Sequence, residues 1–138
     1  MIRRLAIATM AVLLAATLNG CSLSVADGAS CVPRVKVAPH QAHPGGRIKV
    51  WTNDRCRAPL PDGGWMIGAA SDGAGPDPVV SVHVQPRADG RFSVTLELPA
   101  DMAAGDAHAG IWNWDYSRCK DTNASCAGPM GSFRVAAH

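Results

Sequence analysis

Residues 79–98 read "VVSVHVQPRADGRFSVTLEL", and their spacing decides the fold class. Val80, Val82 and Val84 fall on one side of an extended chain, with Ser81 and His83 on the other. After a break, Phe92, Val94, Leu96 and Leu98 repeat the pattern. A period of two marks a half-buried strand, because successive side chains leave the pleated backbone on opposite faces. Asp89-Gly90 between the runs predicts a tight hairpin turn with positive φ, which glycine adopts without a Cβ clash.

The same reading extends in both directions. "RVKV" (34–37), "RIKVWT" (47–52), the less regular "GWMIGAA" (64–70), "AHAGIWNWDY" (107–116) and "GSFRVAA" (131–137) supply the remaining strands. "PHQAHPGG" (39–46) is read as the turn between the first two. Trp112, Trp114 and Tyr116 then share one face of the sixth strand, and Trp51 points outward on the second if Ile48 and Val50 point in. No segment beyond residue 30 keeps helical spacing for ten residues. The expectation is an all-β domain over 31–138, a seven-stranded antiparallel β-sandwich of the immunoglobulin type. Trp65 stands where that fold often buries a tryptophan.

The N-terminus has a different character. Arg3 and Arg4 precede an uncharged apolar run from Leu5 to Leu18. As a helix its fourteen residues would span about 21 Å at 1.5 Å each, short of the roughly 30 Å hydrocarbon core. It fits a secretory signal peptide over 1–20 instead. "LNGC" (18–21) resembles the lipobox of bacterial lipoproteins, with Leu18 at the aliphatic position and Gly20 at the small one. The resemblance implies that Cys21 receives a diacylglycerol and becomes the first residue after cleavage. "SLSVADGAS" (22–30) would be a flexible tether of about 17 Å mean span.

"HPGGRIKV" (43–50) and "LPADMAAGDAHAGIWNW" (98–114) resemble single-domain immunoglobulin-like lipoproteins of high-GC Gram-positive bacteria. In these a Pro-Gly-Gly turn precedes the second strand and a Pro…Gly-Asp corner leads into the sixth. His108 stands where a corner tyrosine is common. The resemblance implies a fold, and a fold does not imply a function.

The chain has five cysteines, at 21, 31, 56, 119 and 126. An odd count is unusual for an exported protein, and lipidation of Cys21 leaves four. An oxidising compartment favours two bridges. The four cysteines fall at one pole of the sandwich, which permits all three pairings. Cys31–Cys56 with Cys119–Cys126 is favoured, since each bridge joins segments already adjacent through a short connection.

Removing residues 1–20 takes Arg3 and Arg4 from the 13 Lys and Arg, leaving 11 cations against 11 acidic residues. A neutral chain without basic runs argues against a nucleic-acid partner. Glu97 is the only glutamate, so no pair of glutamates can share acid–base work, and there is no Gly-x-Ser-x-Gly. Ser117 to Lys120 spell Ser-x-x-Lys, but in a loop without its companion motifs. His108 lies near Asp106 and Asp115 without a nucleophile placed beside them. Asp72 and Asp77 sit in Asp-Gly-rich turns whose spacing matches no calcium loop. Asn123-Ala124-Ser125 is a formal glycosylation acceptor.

His40 and His43 form a His-x-x-His that could take copper or zinc with Asp54, His83 or a reduced Cys56. A pair alone is half a site, and a polar turn explains both residues. The expected function is a non-enzymatic binding module without cofactor, on the outer face of the cell membrane. Its membrane attachment is the lipid on Cys21, and its ligand is a protein or a cell-wall glycan. Trp51, Trp114 and Tyr116 are the candidate contacts, the last two flanking the loop "SRCKDTNASCAGP" (117–129) beside "NDRCRAPLPDGG" (53–64). The alternative is a metal-handling envelope lipoprotein using His40 and His43.

Overall fold

The computed structural model describes residues 26–27, 31–118 and 128–137. In chain order the strands are β1 (Ala26–Asp27), β2 (Lys36–Ala38), β3 (Gln41–Ala42), β4 (Arg47–Thr52) and β5 (Cys56–Arg57). They continue with β6 (Trp65–Ser71), β7 (Val80–Val84), β8 (Phe92–Glu97), β9 (Gly105–Ile111) and β10 (Met130–Val135). A single 3-10 turn covers Tyr116–Arg118, and no α-helix occurs among the described residues. Three strands in the order β2-β4-β8 form one sheet, and five in the order β3-β10-β9-β6-β7 form the other.

The alternation read from sequence explains why the sheets face each other. Val37, Ile48, Val50 and Leu96 come from the first sheet and Ile67, Ala109, Ile111 and Phe133 from the second, all within one buried cluster. This is the arrangement of a β-sandwich. Trp65 is almost wholly buried and meets Phe92 edge-on, with centroids 5.9 Å apart at 74°. Complete burial of such a side chain contributes about 2 to 3 kcal/mol.

Several expectations are corrected. The runs at 79–98 are strands, but they do not form a hairpin: β7 pairs with β6 and β8 with β4. The turn itself is present, with the Gly90 amide donating to the Arg87 carbonyl and φ of 89° at Gly90. It arches from one sheet to the other. Glycine is also required there sterically, because a Cβ would collide with the Cys56 carbonyl.

The stretch 39–46 is more than a turn. Gln41–Ala42 runs parallel to β10, with Ala42 opposite Val135, so the strand pairing is not wholly antiparallel. The first expected strand, 34–37, is observed as β2 in the three-stranded sheet alone, and it is the expected turn that supplies a short strand to the other sheet. The sixth strand ends at Ile111, so Trp112, Trp114 and Tyr116 do not share a strand face. Within the expected tether, Ala26–Asp27 pairs in parallel with Cys56–Arg57. With these short strands the described total is ten rather than seven.

Cys31 and Cys56 are joined by a disulfide with Cα atoms 5.7 Å apart. Cys119 and Cys126 lie outside the described residues, as do Cys21 and the expected signal peptide. No described helix is long and apolar enough to cross a membrane.

Candidate functional site: a groove beside Trp51

β4 alternates strictly, with Ile48, Val50 and Thr52 buried and Arg47, Lys49 and Trp51 turned outward. Its neighbour β8 does the same, placing Ser93 opposite Trp51. The arch between β7 and β8 rises beside this outer face and closes a groove of about 390 Å³. Lys49, Trp51 and Ser93 line one side, while Gln85, Arg87 and Arg91 line the other. Asn53 continues the lining at the end of β4.

The groove is held by its own turn chemistry. The Arg87 amide donates to the Arg91 carbonyl, and the Gly90 amide donates back to Arg87, each at 2.8 Å. Asp89 accepts from the Arg91 amide and from its Nε, at 3.2 and 2.7 Å. A second guanidinium nitrogen of Arg91 lies 2.7 Å from the same carboxylate. Partial desolvation would raise the Asp89 pKa. The Arg91 hydrogen bonds and the charges of Arg91 and Arg55 outweigh it and hold the carboxyl below its ordinary value. The Lys49 ammonium sits 5.5 Å from the Trp51 ring centroid, a cation–π contact that fixes a positive charge beside the indole.

The small formal charge of +2 hides a cationic face. Lys36 is Trp51's ladder partner on β2, so Trp51 stands beside two lysines. The acids around this sheet are each paired with an arginine: Glu97 with Arg47, Asp54 with Arg34 and Asp89 with Arg91. Among the described residues, Lys36, Lys49 and Arg87 have no acidic partner. Single residues far apart in sequence are gathered by strand pairing, so no basic run betrays them. Trp51 is the only part of this site that the sequence reading identified.

The other aromatic candidates separate. Trp114 is half-buried against the core, 6.0 Å from Trp65. Tyr116 is exposed, and its hydroxyl closes over Gly128 where a Cβ would clash. Trp112 lies on the outer face of the five-stranded sheet, stacked on His108 at 5.2 Å and 11°. Its indole N–H donates to the Pro76 carbonyl. Asn113, just beyond β9, is tied to the start of β6, its side chain accepting from the Met66 amide and donating to the Gly64 carbonyl.

The remaining candidates are scattered. His40 and His43 are exposed. Their carbonyls are engaged in the fold, accepting from Arg134 and Gly46. Asp54 accepts from the Arg34 amide, while His83 faces solvent on β7. No group of three His, Cys, Asp or Glu that could hold a metal occurs among the described residues. His108 pairs through Nδ1 with Asp72 at 2.9 Å, whereas Asp106 is held by Arg134. Ser132 stands opposite His108 in the ladder, but no hydrogen bond joins the two side chains among those described. Lys120 and the Asn123 acceptor lie outside the described residues. A scan of protein-family models finds no match to this chain, and comparisons with curated proteins and solved structures find none either.

Proposed function

We propose that the chain is an envelope lipoprotein anchored through Cys21, whose immunoglobulin-like domain is a non-catalytic binding module. The observation that carries the binding role is the groove beside Trp51, where an outward indole is bordered by ordered polar and cationic side chains. An isolated surface tryptophan needs no explanation, but one forming the wall of a groove offers a flat contact area at little conformational cost. Immunoglobulin-like topology is supported by the order of the strands. The short strands β2 and β3 lie in different sheets, β4 pairs with β8, and β9 lies between β6 and β10. Trp65 in the core at the start of β6 fits the same reading.

The test is binding of the full-length protein, with its lipid anchor held in detergent micelles, to detergent-extracted, lipid-free envelope from its native host. Wild type should co-sediment with that envelope, and Trp51→Ala should be released while its circular dichroism stays unchanged. Equal retention of both proteins would remove the groove as the contact surface.

A further inference from the structure

We infer that the Trp51 groove takes a carboxylate-bearing saccharide, a chain of the uronic-acid type; this rests on the reading of the groove as the contact surface. Charge is the first reason. Lys49 and Arg87 line the groove with Trp51, and Lys36 is the ladder partner of Trp51, all three without an acidic partner among the described residues, whereas Asp54, Asp89 and Glu97 are already paired. A ligand carrying spaced negative charge would complete these cations, and a neutral glycan would leave them as they are.

The form of the charge matters too. Arg87 projects from a turn fixed by two backbone hydrogen bonds, so its attachment point is ordered before any ligand arrives. Its planar guanidinium matches a carboxylate through two parallel bonds. Arg91 already holds a carboxylate within the groove, its Nε and a second guanidinium nitrogen both meeting one oxygen of Asp89.

The lining then favours a sugar over an acidic peptide. Peptide anchors need desolvated apolar sockets, yet Phe92, the largest apolar residue of the lining apart from Trp51, is turned into the core. What remains accessible is an indole, two side-chain amides and a hydroxyl, from Trp51, Asn53, Gln85 and Ser93. An indole offers its apolar face to the C–H side of a pyranose, and the amides can donate and accept with its hydroxyls.

The experiment titrates the full-length protein in detergent micelles with hexagalacturonate, following heat and tryptophan emission. Maltohexaose, hexaglutamate, a glycerol-phosphate hexamer and a thymidine hexanucleotide serve as comparators. Hexagalacturonate should bind, shift the emission and weaken as salt is raised. The Lys49→Gln/Arg87→Gln double variant should bind roughly tenfold or more weakly, as each comparator should. Failure of hexagalacturonate to bind, undiminished affinity in the double variant, or equal binding by any comparator would overturn the inference. The parent reading fails separately: it falls if Trp51→Ala in micelles is retained by the lipid-free envelope as well as wild type. Loss of that retention without uronate binding would refute only the ligand class.

Discussion

Trp65 and Trp51 are the same residue type in opposite situations, and the contrast sets what each should do when removed. Trp65 is almost fully buried between Phe92 and Trp114. Trp65→Ala would leave a cavity that rigid strands cannot fill, at a cost of about 3 to 5 kcal/mol. Trp51 lies outward and is only half-buried, so Trp51→Ala should cost about 1 kcal/mol or less. Urea unfolding of the two full-length variants checks the order, and equal losses would contradict these placements. Asp89 carries the clearest acid dependence. Its folded pKa is depressed from the ordinary 3.8, so its contribution is present above that value and is lost as pH falls through the folded pKa. Wild type should therefore exceed Asp89→Asn in stability at neutral pH and converge with it in strong acid. A gap that persists unchanged into acid would show that the Arg91 pairing is not its source.

At the scale of elements, strands such as β4, β8 and β10 were legible because their side chains alternate, but the partners of those strands were not. Val80 to Val84 and Phe92 to Leu98 carry the same pattern whether they form a hairpin or sit in separate sheets. Long-range pairing decides between these, with β4 holding β8 and β6 holding β7. Gln41–Ala42 was hidden for a related reason, since two residues are too few to show a period. The early end of β9 follows from Asn113, whose side chain takes the Met66 amide, while the Trp112 amide still donates to Met66 in register with the ladder. The groove was legible only through Trp51, because Arg87 joins it by the arch and Ser93 by the pairing of β8 with β4. The bridge between Cys31 and Cys56 closes a separation of 25 residues beside that arch. Chain entropy assigns it about 3.5 kcal/mol. The Cys31→Ala/Cys56→Ala protein should therefore melt clearly below wild type when both are heated without reductant. An unchanged melting temperature would mean that neighbouring contacts, such as Gly90 against the Cys56 carbonyl, hold this corner alone.

For the whole molecule, the cationic sheet matters only if something decides which way the domain faces, and Cys21 is the proposed source of that restraint. Ala26–Asp27 pairs with Cys56–Arg57, which leaves only residues 22–25 between the proposed anchor and the first paired residue. A chain that short reaches about 11 Å on the flexible rule. The end of the sandwich that carries the disulfide would then lie close to the lipid. One acyl chain binds membranes only reversibly, whereas two give a stable anchor, so a diacylglycerol thioether should hold the protein through repeated washing. The full-length wild type, expressed in a host that processes lipoproteins, should enter the detergent phase with the added acyl mass on Cys21. Cys21→Ala should remain aqueous or uncleaved. Recovery of a mature wild type that begins at another residue and carries no lipid would refute the anchor. Moving the anchor is the sharper test of its geometric role. Inserting about ten Gly/Ser residues after Ser22 should leave detergent partitioning unchanged and make the Trp51 face more accessible to a soluble quencher of tryptophan emission, if membrane proximity restricts that face.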